Sequence, residues 1–337
     1  MHAKNRYDVV KLPSQAVKGF TLVELMISLS VGLVLFAGVM SVFVGMRTTA
    51  AETSTYGELQ ENGRFAISVL TDDLLRQDFW GDYAGRFSTS NLIGLQAAPG
   101  NDCIGGGVNN ATFPLAIGHF RTIWGQTLTA GTPNPLDCFT TPTGTRTKQG
   151  SDVIQLKRVI GTPVAATIPG NYYLDINVMQ GGIYAQGQPV PVLDNARTWQ
   201  YQHHVYYVRE EKVGNDYVPV LMQGRLANLS MSFNPIVDGI EVIRFMYGID
   251  TNGDGVINAY ISADNMSEAL WDNAGGARIL AVKVYVLARS ILPDFKYQNN
   301  NTYQLGAGVA GQFKGNGDNY RRLLFSSTIT LYNARVN

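Results

Sequence analysis

From Phe20 to Met46 the chain reads FTLVELMISLSVGLVLFAGVMSVFVGM, apolar all round a helical wheel and interrupted by one charge, Glu24. At about 1.5 Å of rise per residue such a helix crosses a hydrocarbon layer of ~30 Å. Beyond Arg47 no proline occurs until Pro99, and the pattern narrows to one side. Tyr56, Leu59, Gly63, Ala66, Leu70 and Leu74 recur at three- and four-residue spacing. Glu52, Glu58, Glu61, Arg64, Asp72, Asp73 and Arg76 lie mostly elsewhere around the wheel. The two patterns predict one helix of roughly 80 Å. Its first half, 20–46, is long and apolar enough to span a membrane, and its second half, 47–78, packs on a folded head.

Past residue 82 the texture changes. Glycine, asparagine, proline and threonine dominate 85–150, which reads as loops and short strands. From Ser151 onward, β-branched and aromatic residues alternate in the runs Val153–Ile160, Tyr172–Val178, His203–Arg209, Val218–Leu221 and Leu229–Phe233. Longer runs follow at Ile240–Tyr247, Ile279–Ala288 and Leu323–Leu331, separated by Gly/Asn/Asp turns. This pattern predicts antiparallel sheet, so the expected class is α+β: a long N-terminal helix on a β-rich head, 79–337. The 36 glycines and 17 tyrosines against 15% charged residues fit a loop-rich β protein of exported character. Lysine plus arginine equals aspartate plus glutamate at 26 each, so the basic excess of a nucleic-acid binder is missing. Gly105-Gly106-Gly107 and Gly181-Gly182 sit in loop-like surroundings without a βαβ context, which argues against a phosphate loop.

Lys4, Arg6, Lys11 and Lys18 precede the apolar run against the single acid Asp8, predicting a cytoplasmic N-terminus and an exported body. A secretory signal peptide would have a shorter apolar region and a small-residue cleavage site, and Phe43-Val44-Gly45-Met46 is a poor one. Hydropathy alone leaves an ordinary signal anchor open. Glu24 separates the readings, because an ionisable group deep in an apolar run is costly and marks a functional pairing. No residue near it in the helix neutralises it, so its partner is expected from outside.

Lys18-Gly19-Phe20-Thr21-Leu22-Val23-Glu24-Leu25-Met26 resembles the processing motif of type IV prepilins and type II secretion pseudopilins. In that family a membrane peptidase cuts after the glycine and methylates the new amine. The resemblance implies that 1–19 is a leader, Gly19 its last residue and Phe20 the methylated first mature residue. It also implies that Glu24 pairs with the N-terminal amine of a neighbouring subunit, and that the fold is type IV pilin-like. The 19-residue leader is longer than those common among major pilins, and Ser41 stands where many of them have a kinking proline. The missing proline suggests a straighter helix and a minor rather than a major subunit. Further on, GIEVIRFMYGIDTNGDGVINAYISA, Trp271, GGARILAVKVYVLARS and YRRLLFSSTITLYN resemble a PilW-type minor pilin. The expectation is a subunit of an initiating tip complex that primes pilus polymerisation. It would sit in the bacterial inner membrane with its head in the periplasm, and in the pilus once assembled. Its implied partners are other minor and major pilins, the prepilin peptidase and the inner-membrane assembly platform, with no nucleic acid or small-molecule substrate. A minor pseudopilin of a type II secretion system and a tip adhesin acting through 85–235 are the alternatives.

Cys103 and Cys138 both follow the membrane span, and in an oxidising compartment a disulfide is expected between them. Asp250-Thr251-Asn252-Gly253-Asp254-Gly255-Val256-Ile257-Asn258 offers oxygens from Asp250, Asn252 and Asp254, the Val256 carbonyl and Asn258, with glycine at the sixth place. That spacing suits Ca²⁺, but Ile261 stands where a bidentate acid is usual. An Asx-rich turn joining two strands is the competing reading of the same residues. Otherwise no cofactor is expected. His203 and His204 fall in a tyrosine-rich strand, point to opposite faces and cannot chelate together. No hydrolase or zinc motif occurs, and no enzymatic role is expected.

Overall fold

The computed structural model describes residues 19–85, 87–94, 97–115 and 119–336. The leader before Gly19 lies outside the described residues. The chain divides into two compact units, 1–54 and 55–337. Helix α1 (Leu22–Arg76) is continuous and contributes to both. It stops at Arg76, two residues short of the predicted end. Asp78 turns to the left-handed φ of 60°, and the Gln77 amide closes onto the Leu74 carbonyl at 3.3 Å.

In the first unit, α1 presents apolar side chains on every face. In the second, Leu59, Gly63, Ala66, Leu70 and Leu74 are buried against the head, matching the sequence pattern. Two positions differ from it. Tyr56 stays exposed, with the Arg321 guanidinium 5.5 Å from its ring centre. Asp73, expected off the packed face, is buried beside Leu70 and Leu74.

The head holds two principal sheets. The first contains β1 (Ile123–Thr127), β2 (Thr145–Thr147), β3 (Asp152–Val159), β4 (Tyr172–Ile176), β5 (Gly181–Ala185), β6 (Arg197–Val213), β7 (Asp216–Ala227) and β8 (Ser230–Asp238). Strand β6 is its spine, pairing antiparallel with β2, β3, β4 and β7. The second sheet has the order β10-β9-β11-β14, from β9 (Ile240–Asp250), β10 (Ala259–Ser262), β11 (Arg278–Arg289) and β14 (Arg322–Thr330). A small hairpin of β12 (Thr302–Gln304) and β13 (Gln312–Lys314) lies between β11 and β14 in sequence. Short helices α2 (Glu268–Trp271) and α3 (Tyr332–Val336) complete the regular elements.

Gly181 and Gly182, read above as loop, open β5. The absence of a side chain at Gly182 lets Pro191 sit where a Cβ would be, 2.2 Å from that point. The strands predicted at 203–209 and 218–221 are the cores of much longer β6 and β7. Their polar flanks form strand because each pairs with the other across a hairpin.

The sheets meet at Gly239, the single residue between β8 and β9. Its φ is 79°, and an added Cβ would lie 2.9 Å from the Arg289 carbonyl. Behind this corner lies one large core, joining Leu59, Ala66, Leu70 and Leu74 of α1 to strands of both sheets. A second, aromatic core packs Trp80, Phe87, Phe113, Tyr172, Trp199 and Tyr201 near the start of β6.

At Gly63 α1 lies tight against the second sheet. A Cβ there would fall 2.1 Å from the Phe325 ring. Alanine normally favours a helix over glycine by about 1 kcal/mol. Gly63→Ala is nonetheless expected to destabilise the head by about 1–3 kcal/mol, because overpacking outweighs propensity. Urea unfolding checks this, and Gly63→Ala combined with Phe325→Leu should recover most of the loss.

Candidate assembly surface

Every large apolar side chain from Phe20 to Met46 is exposed, including Phe20 at 86% and Val39 at 67%. Among the described residues α1 is the one helix long and apolar enough to cross a membrane. Val34, Leu35, Val39, Val42, Phe43 and Met46 flank Gly38, whose missing side chain leaves a shallow apolar notch. Small residues of this kind let helix backbones approach one another in lipid. At the end of the apolar run the Arg47 guanidinium sits 4.7 Å over the Phe43 ring, its charge at the margin of the span.

The helix begins with a capping box. The Thr21 amide and hydroxyl donate to Glu24 Oε2 at 3.0 and 2.9 Å, and the Glu24 amide donates to Thr21 Oγ1 at 3.3 Å. The sequence carried this signal as Thr-x-x-Glu before an apolar run, but Glu24 was assigned there to an external partner only. The hydrogen bonds orient the carboxylate without neutralising it. Gly19, Phe20 and Glu24 lie together at this end, and all three are exposed.

In the head, α1 is tied to the first sheet by a buried polar cluster that sequence reasoning missed. Arg158 Nε of β3 donates to Asp73 Oδ1 at 2.6 Å. From β6, His204 Nδ1–H and the Tyr206 hydroxyl donate to Oδ2 at 2.6 and 2.9 Å. Burial alone would raise the Asp73 carboxyl, but His204 and Arg158 outweigh it and hold it well below the usual carboxylate range. The available signal was one acid three residues after Leu70 on an otherwise apolar face. His203 points the other way and is fully buried, bonded to Thr112 Oγ1 at 2.8 Å and Gln155 Oε1 at 3.1 Å.

Two further buried carboxylates join elements. Asp152 of β3 accepts from Thr127 Oγ1 at 2.6 Å and from the Phe245 amide of β9 at 2.8 Å, linking the sheets. Burial pushes its carboxyl up to about 6, with Arg244 pulling in the opposite direction. Glu241 of β9 is clasped by Arg322 of β14, whose Nε donates at 2.5 Å.

Cys103 and Cys138 form a buried disulfide across 35 residues of sequence. Beside it, the Asn101 side chain donates to the Cys138 carbonyl at 2.8 Å.

Residues 250–258 form a compact turn between β9 and β10. Asp250 Oδ1 accepts from the amides of Asn252 and Gly253 at 3.1 and 2.8 Å, and Oδ2 accepts from Gly255 at 2.8 Å. Asp254 accepts from the Val256 amide and the Asn252 side chain, and Asn258 Oδ1 accepts from the amide and hydroxyl of Thr251. Among the described residues no group of three His, Cys, Asp or Glu side chains comes together at metal-binding geometry.

Two family matches fall on these features. Residues 15–40 match the Prokaryotic N-terminal methylation motif, a stretch that includes Gly19, Phe20, the capping box and most of the apolar run. Residues 205–333 match the family described as Type IV Pilus-assembly protein W, which covers most of β6 and everything from β7 to the end of β14. Comparison with curated proteins and with solved structures found no match. The families found are pilus components and not known enzymes. With the methylation motif at the start of its exposed apolar helix and the pilus-assembly match over 205–333, the later part of its head, the chain matches a PilW-type type IV pilin.

Proposed function

We propose that the protein is a minor pilin that joins an initiating or tip complex of a type IV pilus, anchored in the inner membrane with its head in the periplasm. The observation that carries this reading is the wholly exposed apolar helix, opened by Thr21 and Glu24 and continuous with a head-packing half. Outside a membrane such a surface needs the helices of neighbouring subunits to cover it. Prepilin peptidase cuts between Gly19 and Phe20 and the new amine is methylated. Glu24 then receives the amine of a neighbour, since a carboxylate and an ammonium attract strongly in an apolar core and either alone is penalised. The protein performs no covalent chemistry; it is a substrate of the peptidase.

The N-terminal residue and intact mass of the chain from native membranes test the reading, with a methylated Phe20 terminus expected. A chain beginning at Met1 in cells with an active prepilin peptidase would make it a signal anchor. Glu24→Ala is expected to leave processing intact while incorporation into pili falls by at least tenfold, the effect of losing about 1.4 kcal/mol or more. Full incorporation of that variant, without a wild-type copy present, would sink the pairing. The same apolar helix would serve a type II secretion pseudopilin, and deletion of the gene, read out as pilus number and as secretion, distinguishes the two.

The loop 250–258 is proposed to be a self-supporting turn, with the Asp250, Asp254 and Asn258 oxygens already accepting hydrogen bonds from the loop's own backbone and side chains. Chelator and added calcium are expected to leave the unfolding midpoint unchanged. A midpoint that climbs with calcium concentration would replace the turn by a binding site.

A further inference from the structure

Between β11 and β12 lies a loop that is firmly held and yet turns two large apolar side chains to solvent. The Tyr297 amide donates to the Asp294 carbonyl at 2.8 Å, closing a turn with Phe295 and Lys296 at its tip. The Asp294 amide donates to the Asn319 carbonyl at 2.8 Å, and the Asn319 side chain to the Tyr297 carbonyl at 2.7 Å. Arg321 Nη2 donates to Asp294 Oδ2 at 2.8 Å. Phe295 is nonetheless 85% exposed and Leu292 77%, with Lys296 exposed beside them. Arg321 also joins the loop to α1. Its guanidinium lies 4.5 Å from the Tyr297 ring centre, and its Nη1 donates to the Tyr56 hydroxyl at 3.4 Å. Tyr56 comes nine residues after Arg47, where the apolar run has ended. Nine residues of helix measure about 14 Å, whatever angle the head takes to the span.

We propose that Leu292 and Phe295 enter the interfacial layer of the bilayer that α1 spans, so that the head of an unassembled subunit rests on a phospholipid surface. Composition selects the occupant. An aromatic and an aliphatic side chain beside a lysine suit the headgroup region, where apolar bodies sink and the charged tip stays wet. Distance selects it too. The polar layer of a bilayer is about 5–8 Å deep on each side, so a tether of about 14 Å keeps the loop within reach of it. Glu58 and Glu61 of α1 are also exposed, so insertion of apolar groups rather than attraction to anionic lipid carries the contact. The inference rests on the reading of Phe20–Met46 as a membrane span.

The test uses the full chain in vesicles of phosphatidylethanolamine and phosphatidylglycerol. Both native cysteines are joined in the disulfide, so an introduced cysteine takes a nitroxide label alone. The labelled variants are Lys296→Cys, Val192→Cys in the exposed β5–β6 loop and Val34→Cys in the apolar helix. Collisions with oxygen and with a water-soluble nickel complex read the depth of each. Lys296→Cys is expected about 5–10 Å into the headgroup–acyl boundary, Val34→Cys in hydrocarbon and Val192→Cys in water. With Leu292→Ser and Phe295→Ser added, the label at 296 should return to water. A label at 296 in water from the outset, with Val34→Cys in hydrocarbon, would overturn the loop contact and leave the span standing. Val34→Cys in water would remove both. A label at 296 shielded from both probes would mean a protein partner in place of lipid. A depth unchanged by the serine pair, or shared by Val192→Cys, would mean that these two side chains do not make the contact. Each of these last outcomes would also overturn the proposal.

Discussion

Asp73→Ala is expected to destabilise the head by about 3–5 kcal/mol, because it leaves Arg158 charged, buried and without its carboxylate. Asp73 accepts from three groups on two strands, so its loss also strands the His204 Nδ1–H and leaves the Tyr206 hydroxyl only the bond it accepts from Gln223 Nε2. Chemical unfolding of the full chain in detergent measures the change. Adding Arg158→Met should recover part of it, since removing the stranded charge lifts most of the penalty. A single variant as stable as the wild type would mean that solvent reaches the cluster. Acid gives a second readout. Asp73 has a lowered native carboxyl, so its contribution is complete above the unfolded value near pH ~4 and is lost as pH falls through the native one. Asp152 works with opposite sign. Its raised carboxyl makes folding most favourable when protonated, and stability declines as pH rises from ~4 through about 6. The loss of stability below pH ~4 should therefore be smaller in Asp73→Ala than in the wild type.

The second large effect is expected from Cys103→Ala with Cys138→Ala. The bridge closes 35 residues of sequence, and in the chain-entropy model its removal costs about 3–4 kcal/mol. The loss should concentrate in the first sheet. Phe139, next to the bridge, stacks on Tyr207 of β6 with ring centres 4.1 Å apart. Hydrogen exchange of the double variant should show faster opening at β6 than at β11. Uniform acceleration across both sheets would mean that the bridge stabilises the head as one unit.

The helix was legible in the sequence because two periodicities, all-round and then one-sided, both demand the same secondary structure. Leu59, Ala66, Leu70 and Leu74 carried enough of the pattern to place the packed face. Asp73 was not legible, because a carboxylate on that face is tolerated only when Arg158 and His204 arrive from strands far along the chain. β5 was missed for a similar reason. Gly181 and Gly182 have no strand propensity, and they are held extended by β4 on one side and the 92–93 segment on the other. The cap at Thr21 and Glu24 was legible as a local motif, Thr-x-x-Glu before an apolar run.

The close approach of Gly63 to Phe325 also bears on when the head becomes whole. The packed half of α1 is made long before β14, so Gly63 waits for Phe325 while the strands between them emerge. Contacts between segments this distant form slowly, since loop closure must precede any packing. A head cut short before β14 would leave the Gly63 side of that helix half without Phe325. Truncated chains should therefore be captured by holdase chaperones and cleared by proteolysis, so that the last strand acts as a completeness check on each subunit before it is offered to its neighbours.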